Sequence, residues 1–347
     1  MGDILIDGHM IGYGNKPFII AEVGQAHEGS LGLAHNYIDA AARAGVDAIK
    51  FQTHIASAES TLDEPFRVKF SRQDATRYDY WKRMEFTAEQ WAGLVEHAKE
   101  KELIFLSSAF SIEAVKLLDE LGMPAWKVGS GEFWSEELLD AMLKTNKPLL
   151  VSTGMSRWSE IEHIASVLNE KNHPFALFQC TSRYPTELKD VGLNVIKEIQ
   201  DRIGCPAGLS DHSGTIFPSL AAIARGAALI EVHITLSRDM FGPDVGASLT
   251  PDELALLVSA RDALLLMDNA PVNKDHLADE LNKTRELFSK SIALTKPMSK
   301  GTTIKQTDLC AKKPGTGIPF SNIDQVVGKK LINDVPANRL LKWENIE

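Results

Sequence analysis

The sequence predicts an α/β chain: a (β/α)8 TIM barrel followed by a small, mainly β C-terminal domain. Three observations carry this expectation. Short apolar, β-branched runs at residues 18–24, 48–52, 104–110, 125–130, 149–153, 175–181, 207–211 and 229–235 alternate with amphipathic runs whose apolar residues recur at helical spacing. Strands this apolar are covered on both faces, which means parallel strands joined by crossover helices. Eight such units in about 250 residues is the count that closes a barrel, whereas an open doubly wound sheet gives no reason to stop at eight.

The helical runs fall at 31–44, 87–101, 111–121, 135–145, 158–169, 191–203, 217–227 and 251–267, the last nearly continuous in Leu and Ala. One connection breaks the rhythm. Residues 53–86 form a segment of 34 residues carrying Arg67, Lys69, Arg72, Arg77, Lys82 and Arg83 among Phe, Tyr and Trp. Connections of this length are usually functional or disordered, so the segment reads either as a lid or helical insertion over the barrel mouth, or as a solvated, partly helical excursion. After residue 267 the period stops. Three parts are expected: a barrel over 1–268, a polar linker with some helical character over 269–287, and a domain over 288–347. That domain has β-like runs at 291–294, 303–304 and 326–327 between Gly, Pro and Asn-Asp turns. About 60 residues is near the lower limit of independent stability, so it is expected to lean on its own barrel or on a partner chain.

Of 347 residues, 44% are hydrophobic and 24% charged, the composition of a chain able to bury a full core. Lys and Arg total 37 against 47 Asp and Glu, a formal net charge of -10. That balance argues against a nucleic-acid or anionic-membrane partner and requires any anionic ligand to find a local basic pocket. The three cysteines, Cys180, Cys205 and Cys310, form no CxxC pair and suggest neither a disulfide framework nor a thiolate zinc site. The opening MGDILIDGHMIGYG lacks the basic start and apolar run of a signal peptide. No stretch approaches the ~20 apolar residues of a membrane span. A cytoplasmic, soluble protein is expected.

In such barrels the catalytic groups lie at the carboxyl ends of the strands. Read in order, those ends offer Glu22, Lys50, Gln52, Ser107, Ser108, Lys127, Ser130, Glu132, Ser152, Thr153, Tyr184, Ser210, His212 and His233. Unpaired polar groups beside a core cost free energy, so a polar residue at every strand exit points to function. His212 and His233 end adjacent strands and together suit one weakly held divalent ion, Mn2+ or Mg2+, completed by water or substrate. Lys50 and Lys127 among Ser130, Ser152 and Ser210 suit a phosphate or carboxylate; the alternative for either lysine is a Schiff-base nucleophile. Glu22, with His27 five residues on, is a general acid or base, or else a counter-charge to a lysine.

The motifs IAEVGQAHEGS, AIKFQTH, KVGSGE, LVSTGM, QCTSRYPT, GLSDH, EVHIT and GPDVGASLTPDEL, in that order, resemble the N-acetylneuraminate (sialic acid, nonulosonate) synthase family. SIALTKPMSKGTTIKQTDLCAKKPGTGIP is similar to that family's antifreeze-like (SAF, β-clip) domain. The resemblance covers nearly the whole chain. It implies a metal-dependent transferase condensing phosphoenolpyruvate with the open-chain aldehyde of an N-acylated mannosamine-type sugar, either N-acetylmannosamine or a di-N-acetylated 6-deoxy hexose. The products are a nine-carbon 2-keto sugar acid and phosphate. It further implies Glu22 as the catalytic carboxylate, and Lys50, Ser108, Lys127, Ser130, Ser152 and Ser210 as the phosphoenolpyruvate contacts. Gln52, Glu132, Tyr184 and Asp244 match positions that meet the acceptor or organise the metal site. His212 and His233 match the ligands of Mn2+ or Mg2+, with Co2+ a further candidate. A homodimer is implied, in which each SAF domain caps the other barrel and Lys313 reaches the partner's acceptor.

Four departures from the family pattern bear on that acceptor: Ser182 for Asn, Ala26 for Asn, Val245 for His, and Lys313 for Arg. Lysine keeps the charge but loses the planar multi-donor fork. Two other readings stay open, a pyruvate-dependent Schiff-base aldolase of sugar acids and a non-catalytic carbohydrate- or ice-binding protein.

Overall fold

In a computed structural model describing residues 2–347, eight parallel strands close on themselves. A hairpin of β1 (Ile4–Ile6) and β2 (His9–Ile11) precedes them. The barrel strands are β3 (Phe18–Gly24), β4 (Ala48–Thr53), β5 (Ile104–Ala109), β6 (Trp126–Val128), β7 (Leu149–Ser152), β8 (Phe175–Cys180), β9 (Ala207–Asp211) and β10 (Leu229–Ile234), and β10 returns to pair with β3. A two-residue strand, β11 (Ser248–Leu249), extends the register at His233. β6 is shorter than the 125–130 run that suggested it, because Gly129 and Gly131 turn the chain and leave Ser130 on a loop.

Strand parity divides the interior into two layers. Toward the amino ends, Phe18, Ile20, Ala48, Ile104, Leu106, Ala125, Leu150, Ala176, Phe178 and Leu229 pack as one apolar cluster, which Ile4, Ile6 and Ile11 of the hairpin join. Gly208 belongs here by necessity: a Cβ would stand 2.6 Å from the Leu229 carbonyl and 2.9 Å from Phe178. One or two residues further along each strand the inward side chains turn polar. Glu22 lies across from Lys50, Ser108 from Lys127, Ser210 from Glu231 and His233 from Glu22.

The outward faces pack on α1 (Leu31–Ala44), α4 (Ala88–Glu100), α5 (Ile112–Glu120), α6 (Glu136–Leu143), α7 (Trp158–Glu170), α8 (Asn194–Ile203), α9 (Phe217–Ile223) and α10 (Pro251–Asp268). Their starts follow from local chemistry. Ser30, Thr87, Ser111 and Thr250 accept backbone N–H groups as N-caps, and Thr250 and Thr87 form capping boxes with Glu253 and Gln90. Residues 53–86 hold two further helices, α2 (Ala56–Glu59) and α3 (Arg77–Met84). They have their own cluster of Ala56, Tyr80, Trp81 and Met84, flanked by Phe66, Phe70 and Tyr78. A helical insertion with an aromatic core, rather than a solvated excursion, is therefore present.

Closure of the amino end uses a buried ion pair. Arg261 of α10, 1% exposed, reaches Asp47 at 2.5 Å and the Pro17 carbonyl at 3.3 Å, while Asp47 also accepts from the Ile19 N–H at 2.8 Å. The last helix is thus tied to the starts of β3 and β4.

The chain divides into two compact units at Asn269/Ala270. The second begins with α11 (Lys274–Glu280), capped by Asn273, and α12 (Asn282–Phe288). It continues with an antiparallel pair, β12 (Ser291–Leu294) and β13 (Leu309–Lys312). Isolated bridges such as Met298 to Val335 and Leu331 to Ile346 fold the rest around Ile292, Leu294, Ile304, Ile318, Val326 and Leu341. The 326–327 run is not a strand. Val326 ends a helical turn over Ile323–Val326 and buries its side chain from there.

Replacing Arg261 by Ala removes the buried partner of Asp47 and leaves the half-exposed Lys16, at 3.2 Å, as its remaining cation. Urea denaturation is expected to show a loss above about 1 kcal/mol but short of the about 3–5 kcal/mol of a wholly unpaired buried charge; a loss below about 1 kcal/mol would place this contact among exposed ion pairs.

Candidate active site

The polar inner layer opens into a cavity of about 490 Å³ at the carboxyl ends of the strands. Its wall includes Glu22, Lys50, Gln52, Ser108, Lys127, Ser130, Glu132, Ser152, Tyr184, Ser210, His212, His233 and Asp244. Every barrel residue singled out for a role by the resemblance is in that wall. Lys313 lies in the second unit, its ammonium 4.9 Å from the Phe288 ring centroid. Three sequence candidates turn elsewhere. The Ser107 hydroxyl pairs with Thr53 at 2.8 Å and that of Thr153 donates to the Phe178 carbonyl at 2.9 Å. His27 is fully buried against Phe86 and Phe51, and burial holds its imidazole neutral, down at about 3. His27 therefore does not share acid–base work with Glu22.

The floor is a charge cluster. Lys50 ion-pairs with Glu22 and lies 3.7 Å from Glu231, with Ser108 Oγ at 3.4 Å. Lys127 donates to Ser152 Oγ at 2.7 Å and lies 3.5 Å from Glu231. Ser210 donates to Glu231 at 3.2 Å. Burial pushes the Lys50 ammonium down to about 7, partly offset by Glu231 and reinforced by Lys127. Burial pushes Glu231 the other way, but Lys127 and Lys50 outweigh it and keep that carboxyl ionised, below its ordinary range. Glu231 escaped the sequence reading because it sits inside an apolar run. Its parity with His233, two residues on, was the available signal.

Beside this cluster Gly154 brings the loop after β7 close. A Cβ there would lie 2.5 Å from Ser182 Oγ, and its N–H donates to Ser130 Oγ at 3.1 Å. Ser182 thus lines the cavity next to Cys180 and Ser130. Ala26 packs on the outer core, and Val245 opens a tight turn directly after Asp244.

The His212 and His233 rings lie with centroids 5.3 Å apart, and Tyr184 packs on both at 4.1 and 5.8 Å. Burial and the surrounding positive charge hold both imidazoles neutral, at about 3. The Thr181 carbonyl accepts from His212 Nδ1 at 3.1 Å, so that nitrogen carries the proton and Nε2 keeps its lone pair. Among the described residues no set of three or more His, Cys, Asp or Glu is arranged as a metal cage. Two neutral imidazoles with an anchored tautomer fit a weakly held ion whose remaining positions go to water and substrate.

The mouth is built by the 53–86 insertion. Arg67 donates to Asp244 at 2.9 Å and stacks over Tyr184 at 4.3 Å, while Phe70 packs on Phe241 at 5.8 Å. Phe66, Tyr80, Trp81 and Arg77 complete this side. Glu132, half-buried opposite, is raised by burial and by nearby Glu59. Two buried ammonium groups among serine hydroxyls suit an anion on the floor, and two neutral imidazoles suit a divalent ion on one wall.

Residues 37–269 match the NeuB family and residues 289–347 the SAF domain. The N,N'-diacetyllegionaminic acid synthase of Campylobacter jejuni is 32% identical over 333 residues, 94% of this chain and 99% of the relative. The human N-acetylneuraminate-9-phosphate synthase is 33% identical over 349 residues, 99% and 96% of the two chains. The crystal structure of N-acetylneuraminic acid (sialic acid) synthetase from Leptospira borgpetersenii, in complex with citrate, superposes with a TM-score of 0.71 at 30% identity, covering 82% of this chain and 97% of that one.

Removing the Glu231 charge has a signed consequence for the floor. Below about 7 Lys50 is an ammonium; as pH rises through that value it loses its charge and its hold on an anion. Glu231→Gln deletes a group that raises Lys50, so the midpoint of the pH dependence of affinity for an added anion, inorganic phosphate, moves to lower pH, by about 1–3 units. Titration calorimetry across the neutral range reads this, and an unmoved midpoint would mean that Glu231 does not govern Lys50.

Proposed function

Because this chain belongs to the NeuB family and carries a SAF domain, we propose that it is a nonulosonate synthase. It condenses phosphoenolpyruvate with an N-acylated mannosamine-type sugar. The observation that carries this reading is the floor: two buried lysines, each bonded to a serine and sharing Glu231, below two neutral histidines. Phosphoenolpyruvate replaces internal partners there. Lys50 and Lys127 neutralise it, and Ser108, Ser130, Ser152 and Ser210 turn their hydroxyls to its oxygens. Carbon 3 of phosphoenolpyruvate bonds to the aldehyde carbon of the acceptor, water adds at carbon 2, and phosphate leaves with its C–O bond broken. Glu22, held by Lys50 and by the Gln52 amide at 2.8 Å, moves the proton of that water. Gln52, Glu132, Tyr184 and Asp244 orient the acceptor. His212 and His233 would hold the divalent ion, Mn2+, Mg2+ or Co2+, which supplies Lewis-acid polarisation when bound.

We further propose a homodimer in which the SAF domain caps the partner's barrel and brings Lys313 toward the acceptor. The three free cysteines suit a reducing cytoplasm. Among the described residues no helix is long and apolar enough to cross a membrane. One observation favours a second reading: an amine lowered to about 7, as at Lys50, is the form an imine-forming aldolase needs. Borohydride trapping with pyruvate decides this, and no trapped adduct is expected.

Phosphate release should require phosphoenolpyruvate, an N-acyl hexosamine and a divalent ion together. The acceptors to compare are N-acetylmannosamine, its 6-phosphate and the di-N-acetylated 6-deoxy hexoses. Release indifferent to EDTA would count against the metal. His233→Ala should lose about 100-fold or more in turnover, because Lewis-acid polarisation is worth several kcal/mol; full activity would make that histidine structural. A chain ending at about residue 287 should keep the barrel's cooperative thermal transition yet make no product, and near-normal turnover would refute capping.

A further inference from the structure

His54 is buried where the insertion meets the catalytic floor, and neither the anion site nor the histidine pair uses it. Its ring lies between two parallel aromatic planes, Trp81 of α3 at 3.9 Å and 14° and Phe110 at 4.3 Å and 7°. Nδ1 meets the Glu59 carboxylate of α2, and Nε2 faces Gln52 Oε1 at 3.4 Å. The orientation of Gln52 is not free. Its Nε2 donates to Glu22 Oε1 at 2.8 Å, so its carbonyl oxygen must point the other way, where Gln25 Nε2 also donates at 3.1 Å.

A carbonyl oxygen only accepts, so a hydrogen on His54 Nε2 is what would hold Gln52 Oε1 in place, while the Glu59 carboxyl occupies Nδ1.

We propose that His54 is a positioning residue: a ring, clamped by Trp81 and Phe110 and anchored by Glu59, whose Nε2–H holds Gln52 so that its amide orients the Glu22 carboxylate. The proposal deepens the synthase reading and depends on it for its kinetic readout. It gives the 53–86 insertion a second task. Beyond forming the mouth, the insertion carries the carboxylate and one aromatic face that keep His54 in place. The chain of contacts runs Glu59, His54, Gln52, Glu22, from a surface helix to the proton-handling group.

The test separates hydrogen bonding from packing. His54→Phe keeps a flat ring between Trp81 and Phe110 but has no N–H to donate, and Glu59→Gln keeps the ring and removes its anchor. Both are expected to lower kcat on the order of 100-fold, the cost of about 1 Å of misplacement at a reacting group. The KM for phosphoenolpyruvate should move less than about threefold, since the lysines and serines are untouched. A purely structural ring would leave His54→Phe near wild type, and that outcome overturns the proposal. Histidine-selective nitrogen NMR on the full chain reads where the ring hydrogen sits, with the His54 signals assigned by their loss in His54→Phe. A hydrogen on Nε2 supports the proposal, and a lone pair there overturns it. Should His54→Phe fail to fold, Glu59→Gln and the wild-type spectrum, assigned by its response to Glu59→Gln, still decide. Absence of phosphate release from the wild type would overturn the synthase reading, while the spectrum would judge His54 independently.

Discussion

Two ammonium groups lie inside this barrel with almost no water around them, and much of the catalytic end follows from keeping them there. Lys50 and Lys127 are 2% and 3% exposed. An unpaired buried ammonium costs several kcal/mol or gives up its proton. Glu231 stands between the two lysines and Glu22 pairs with one of them, so each buried ammonium has a carboxylate beside it. Such a cluster is prepared for an anion. In the proposed synthase a trianionic ligand would take over the lysines, and each carboxylate already has another neighbour to turn to: Ser210 for Glu231 and Gln52 for Glu22.

Barrel geometry makes this affordable. The apolar lower layer seals the interior from below, helped by the hairpin and by the Arg261–Asp47 pair, so the polar layer stands on a packed support. Parallel pairing in register puts Glu22 beside both Lys50 and His233, and Ser210 beside Glu231, without any loop having to be ordered. Groups carried on strands are held more tightly than groups carried on loops. The insertion adds what strands do not supply: Arg67 on Asp244 and Tyr184 at the rim, and the clamped His54 behind Glu22.

The barrel and most of the site were legible because strand parity and strand ends are properties of a local pattern. A polar residue closing an apolar run, as in AIKFQ or WKVGS, identifies its own position. Glu231 was hidden because it lies within such a run rather than at its end. His27 misled in the opposite way: five residues after Glu22 it is near in sequence, yet the turn after β3 directs it outward against Phe51 and Phe86. Val326 looked like a strand residue because an apolar pair between turns has no period long enough to separate helix from strand.

What the sequence by itself determined is the alternation of buried strands and amphipathic helices, the polar residue at each strand exit and the change of texture near residue 269. All of these are written in neighbours a few positions apart. The tertiary structure decided which groups touch. That Lys50 shares Glu231 with Lys127, that Arg67 closes on Asp244 across 177 positions, and that His54 stacks between Trp81 and Phe110 are facts of barrel closure and of how one long insertion packs. The physical reason is range. Periodicity reports which face of an element is buried, but the partner that neutralises a buried charge is chosen only when distant strands and the insertion are brought together.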